Sequence, residues 1–120
     1  MDKKTFDQVA ERVDVLISSG ASTQVTKDAA QAWKDAVAAD EGAADEATER
    51  LLDVLEGRPT TIDGVIAFAQ GPAKEMFGEE AAAKMLEEQT ARKEAGAKYC
   101  NCDACTAASE LLAQFGRIEL

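Results

Sequence analysis

Through almost the whole of this chain, apolar residues recur at the spacing of an α-helix face, and nowhere at the alternating spacing of a strand. Phe6, Val9, Ala10, Val13, Leu16 and Ile17 follow the i, i+3, i+4, i+7 stripe, and Gly20 stops it. After Ser22-Thr23, a second stripe is read through Val25, Ala29, Ala32, Trp33, Ala36 and Val37, broken by Asp40-Glu41-Gly42. A third runs through Ala44, Ala47, Leu51, Val54 and Leu55 to Gly57. With two prolines in 120 residues, Pro59 and Pro72, little opposes helix along the way.

The punctuation continues in the second half. Thr60 with Asp63 predicts a capping box for a short helix carrying Ile62, Val65, Ile66 and Ala69. Gly71-Pro72 ends that helix and starts another, which closes at Gly78. Glu79 and Glu80 suit the start of the next helix, which is apolar at Ala82, Met85 and Leu86 and then polar from Glu87 to Lys93, so its second half is expected to be lightly covered. Gly96 ends it. A last helix opens near Asp103 or Ala104 and turns Ala104, Ala108, Leu111, Leu112 and Phe115 inward. The expectation is an all-α fold, a bundle of five to seven helices in one domain spanning residues 1–120. Trp33, Phe6, Phe68, Phe77 and Phe115 are its expected core anchors.

Composition narrows the partners. The chain has 23 acidic and 13 basic residues, a net charge of −10. Phosphate backbones are bound by clustered Lys and Arg that displace counterions, and here the basic residues are scattered among acids. Nucleic acid and anionic membrane surfaces are therefore not expected as partners. No apolar run approaches the roughly 20 residues that span a bilayer. The first residues, Met1 to Gln8, lack the apolar stretch of a secretory signal, so the expected location is the cytoplasm.

One feature stands out from this helical background. The chain's three cysteines, Cys100, Cys102 and Cys105, fall within the run Tyr99-Cys100-Asn101-Cys102-Asp103-Ala104-Cys105. In a reducing compartment, clustered cysteines more often bind metal or do redox work than form structural disulfides. A helix starting at Asp103 puts Asp103 in position to cap backbone amides, Cys102 just ahead of the helix and Cys105 in its first turn. The helix dipole there favours negative charge on sulfur by about 0.3–1 kcal/mol, and Lys98 is close in sequence.

Three readings of the cluster stand side by side. As a metal site it offers Cys100, Cys102 and Cys105, with Asp103 as a further candidate ligand. Structural zinc takes four ligands and the chain has no histidine, so the fourth must be Asp103, another carboxylate, water or a cysteine of a second chain. Cu(I), or an iron–sulfur cluster with one open iron, would accept three sulfurs. As a redox site, Cys102-Asp103-Ala104-Cys105 has the spacing of an oxidoreductase dithiol at a helix start, without the strand that delivers one in thioredoxin-like folds. The third reading is inert packing, since cysteine is a small buryable hydrophobe.

Other chemistry is excluded more simply. Without histidine there is no Ser-His or Cys-His nucleophile and no Glu-x-x-His di-iron bundle. The glycines punctuate helices and make no phosphate-cradling loop. Glu79/Glu80 and Glu87/Glu88 are adjacent on a helix and do not face one another. Asp63, Gly64 and Gln70 could line a polar pocket, with nothing else converging on them. The reading that results is a non-enzymatic metal-binding or interaction protein, with a homodimer or another protein as partner; a thiol-disulfide redox protein is the alternative.

Three segments carry a resemblance: Ala29-Ala30-Gln31-Ala32-Trp33-Lys34-Asp35-Ala36-Val37, Ile62-Asp63-Gly64-Val65-Ile66-Ala67-Phe68-Ala69, and the run from Ala95-Gly96-Ala97-Lys98-Tyr99-Cys100 through Ala108. They resemble a group of small all-helical proteins of unestablished function from anaerobic bacteria, over nearly the whole chain. Some of that group carry a heat-shock or chaperone label, which implies a holdase-like binding module as a further alternative. The chain is too short for the ATPase domain of a large heat-shock chaperone, and it has no nucleotide motif.

Overall fold

The computed structural model describes all 120 residues and is all-α. Its helices are α1 (Lys3–Ser18), α2 (Gln24–Ala39), α3 (Ala44–Leu55), α4 (Ile62–Gln70), α5 (Pro72–Phe77), α6 (Glu79–Glu94) and α7 (Asp103–Gln114), with a 3-10 turn at Glu41–Ala43. The extended backbone amounts to a single isolated bridge between Thr61 and Tyr99. No helix is long and apolar enough to cross a membrane. The chain gathers into two compact units, Met1–Pro59 with Cys102–Glu119, and Thr60–Asn101 with Leu120.

The first unit contains α1, α2, α3 and α7. Helix α1 packs against α2 and α7, α2 against α3, and α3 against α7, so each helix has two neighbours around one core. That core is Val9, Val13 and Leu16 from α1, Ala30, Trp33 and Val37 from α2, Leu51, Leu52 and Leu55 from α3, and Ala107, Ala108, Leu111 and Leu112 from α7. Each fully buried leucine contributes about 1.5–3 kcal/mol through the apolar area it removes from water. Trp33 is 3% exposed, and its indole Nε1 donates a 3.0 Å hydrogen bond to Thr48 Oγ1, so the one polar atom of the ring is satisfied inside the core. Phe6 tilts against it with ring centroids 5.4 Å apart.

The rotation of α2 differs from the expected stripe. Its buried residues are Thr26, Ala30, Trp33 and Val37, while Val25 is 50% exposed and Ala32 faces solvent. Trp33 is the reason. Burying so large a ring brings in the positions three and seven before it and four after it, while Ala29 and Ala36 are only partly buried against the core and Ala32 stays outside at little cost.

Helices α4, α5 and α6 form the second unit, with α6 packed against both α4 and α5. Its interior is small-residue: Ile62, Ala69, Ala73 and Ala82 are buried. Helix α4 starts one residue later than the expected capping box. Thr61, not Thr60, is the N-cap, accepting from the Gly64 amide at 3.1 Å. Phe77 is not a core anchor; it packs edge-on to Phe68 at 6.2 Å and remains 54% exposed, because the six-residue α5 ends beside it at Gly78.

Candidate metal centre

The cysteine segment is delivered by a helix stop, a short bridge and a helix start. At the end of α6, Gly96 adopts φ +99°, a left-handed conformation that side chains with a Cβ resist. The Gly96 amide donates to Lys93 O at 3.0 Å and the Ala97 amide to Arg92 O at 2.9 Å, the paired bonds of a Schellman stop. The chain then runs extended past the start of α4. Ile62 N donates to Lys98 O at 2.9 Å and Cys100 N to Thr60 O at 2.7 Å, which fixes the backbone on either side of Tyr99.

The next residues are held just as closely. The Asn101 Oδ1 accepts a 3.1 Å hydrogen bond from Gln89 Nε2, and Gln89 Oε1 accepts from Arg92 at 2.7 Å. Gln89 is only 6% exposed. The polar half of α6 is thus not bare: it fixes the residue between the first two cysteines. Cys102 is the N-cap of α7, with its Sγ accepting from the Cys105 amide at 3.3 Å and its carbonyl from Thr106 N at 2.9 Å. Cys102 thus caps the helix start alongside Asp103, which accepts from the Ala104 amide.

Asp103 occupies the first turn of α7. Its Oδ1 accepts from the adjacent Ala104 amide at 2.8 Å and from the Ser19 hydroxyl at 2.6 Å. Ser19, 3% exposed, closes α1, and its Oγ also accepts from Ala21 N at 3.1 Å. This network sets where α7 begins, and so where Cys102 and Cys105 stand.

The result is convergence. The sulfurs of Cys100, Cys102 and Cys105 all lie within 4.8 Å of one another, and all three residues are half-buried. None is in a disulfide. One ion bonded to all three at about 2.3 Å requires sulfurs roughly 4 Å apart. The grouped ligand atoms are the three sulfurs; the Asp103 carboxylate is not among them. Backbone and side chains therefore place a three-thiol group at a helix N-terminus, where negative charge is favoured.

Sequence reasoning located the cysteines but missed Gln89, Asn101 and Ser19, which hold them. Gln89 was the most accessible of the three, as an amide three residues before Arg92 on a helix with little apolar face. Elsewhere, a groove of about 130 Å³ between α2 and α3 is lined by Ala29, Ala32, Ala36, Leu51 and Val54, and Arg50 is its one charged group. No reactive pair converges there.

No protein-family model matches the chain, and neither a curated protein nor a solved structure does.

Proposed function

We propose that the protein binds a thiophilic metal ion through Cys100, Cys102 and Cys105, as a non-enzymatic cytoplasmic metal-binding protein. The observation that carries this reading is the approach of the three sulfurs to within 4.8 Å of one another. Three cysteines on one turn of chain, each anchored by hydrogen bonds of its neighbours, form a preorganised soft donor set. Thiolates select copper(I), zinc and iron–sulfur clusters over hard cations such as magnesium and calcium. Asp103 orients α7 through Ser19 and so acts on the site from outside the donor set. Protein purified without air should carry zinc, copper or iron in stoichiometric amount by elemental analysis, and replacing all three cysteines by serine should abolish it. Metal-free protein that also fails to take up any of these ions after reduction would count against the proposal.

A second reading is favoured by one contact. The Cys105 amide donates to Cys102 Sγ, the arrangement of a dithiol at a helix start. In that reading Cys102 and Cys105 exchange with a disulfide of a partner protein, which is reduced as the pair is oxidised. Reversible oxidation of this pair within the range of cellular thiol potentials would support it, and a pair that stays reduced across that range would remove it.

A further inference from the structure

Resting on the metal-binding reading, we infer that the site is mononuclear and three-coordinate, and that its ion is copper(I) rather than zinc or an iron–sulfur cluster. The sulfur separation bears on nuclearity first. A 4Fe–4S cluster puts each thiolate on a different iron, and a 2Fe–2S cluster takes two thiolates on each of its irons, four where this chain has three. Sulfurs within 4.8 Å of one another fit a single ion between them.

Coordination number follows from the surrounding donors. Zinc in a structural site takes four ligands in a closed tetrahedron. The chain has no imidazole to offer. The nearest carboxylate in sequence, Asp103, has its Oδ1 committed to the Ser19 hydroxyl at 2.6 Å and to the Ala104 amide at 2.8 Å. Its carboxylate is not grouped with the three sulfurs, so it does not supply a fourth donor in this geometry. The neighbouring amide oxygen, Asn101 Oδ1, is held by Gln89. The donors that this chain groups together are three sulfurs. Copper(I) is soft and is satisfied by three thiolates, whereas zinc would have to recruit water or a second chain's cysteine as its fourth ligand.

The half-burial of all three cysteines gives the site its character. One side of the bound ion stays reachable, so an incoming thiolate can add before a resident one leaves. The ion is then held exchangeably. On loading, three S–H bonds release their protons to solvent as three Cu–S bonds form, and copper stays monovalent throughout.

The test uses the full-length reduced protein under anaerobic conditions, titrated with copper(I) against a chromophoric copper(I) chelator and with zinc against a zinc indicator, followed by X-ray absorption on the loaded protein. Expected are one copper(I) per chain, three sulfur neighbours with no oxygen or nitrogen neighbour, and displacement of bound zinc by one equivalent of copper(I). Each single Cys→Ser change should weaken copper(I) binding at least about tenfold, since even changes outside the donor set cost ten- to a hundredfold. Far-UV circular dichroism of each variant separates lost ligation from lost folding. Zinc bound by four ligands and not displaced by copper(I), whether the fourth comes from Asp103 or a second copy of the chain, would overturn this inference while leaving the metal-binding proposal standing. An iron–sulfur cluster formed on reconstitution in place of copper would do the same. Protein that binds neither copper, zinc nor iron would overturn both.

Discussion

The Ser19 hydroxyl, at the end of α1, donates a 2.6 Å hydrogen bond to the Asp103 carboxylate, at the start of α7. The contact joins residues 84 apart in sequence and fixes the helix start that carries two of the three cysteines. Ser19→Ala should destabilise the fold by about 0.5–1.5 kcal/mol, the net value of the lost hydrogen bond, because the exposed Asp103 carboxylate can turn to water. Urea denaturation of the metal-free protein checks this. A change in the same variant's metal affinity would report how strongly α7 placement governs the site.

The Trp33–Thr48 pair makes a sharper core prediction. Thr48 is buried and accepts the indole hydrogen of Trp33 at 3.0 Å. Thr48→Val keeps the shape but orphans that donor, and should cost about 1–3 kcal/mol. The chain's one tryptophan makes its own fluorescence the readout of the unfolding transition. Leu111→Ala, which opens a cavity in the same unit, should cost more, about 2–5 kcal/mol.

Much of this architecture was legible from sequence, because glycine stops and helical spacing act locally. Gly96 and the Gly71-Pro72 pair ended and began helices where their chemistry required. The rotation of α2 was only partly legible: of the expected stripe, Trp33 and Val37 are buried and Ala29 and Ala36 partly so, but Val25 and Ala32 are exposed and Thr26 and Ala30 are buried instead. Likewise Thr60 and Thr61 are equally good caps by type, and the choice is made by the hydrogen bonds that Thr60 O and Ile62 N make to Cys100 and Lys98. The cysteine cluster was visible as a pattern. Its supports were not, since Gln89 and Ser19 act through tertiary contacts that no short-range spacing encodes.

Gln89 should matter to the site more than to the fold. Gln89→Ala removes the donor that holds Asn101, between Cys100 and Cys102, and frees the segment to move. Loss of such outer support lowers metal affinity about 10–100-fold. Competition titration of this variant against a chelator measures the loss. An unchanged affinity would mean that the backbone bonds to Thr60 and Ile62 suffice to hold the cysteines.

At the other end of the chain, acid stability carries a signature of Asp2. Its carboxylate caps α1, and hydrogen bonding from Thr5, the side chain first and the backbone amide second, holds its pKa below the ordinary 3.8. A folded-state pKa depressed in this way gives stability that is fully present above the unfolded value of 3.8 and is lost as pH falls through the folded value. Asp2→Asn should therefore flatten the fall in stability below about pH 4. Thermal melts of the two proteins over the acid range test it, and identical pH slopes would contradict the assigned cap.

The most direct test of the account is X-ray absorption at the copper edge of reduced, copper(I)-loaded protein. The account predicts one ion with three sulfur neighbours, lost when Cys100, Cys102 and Cys105 are replaced by serine. A spectrum dominated by oxygen or nitrogen neighbours, or one unchanged in the triple variant, would contradict it.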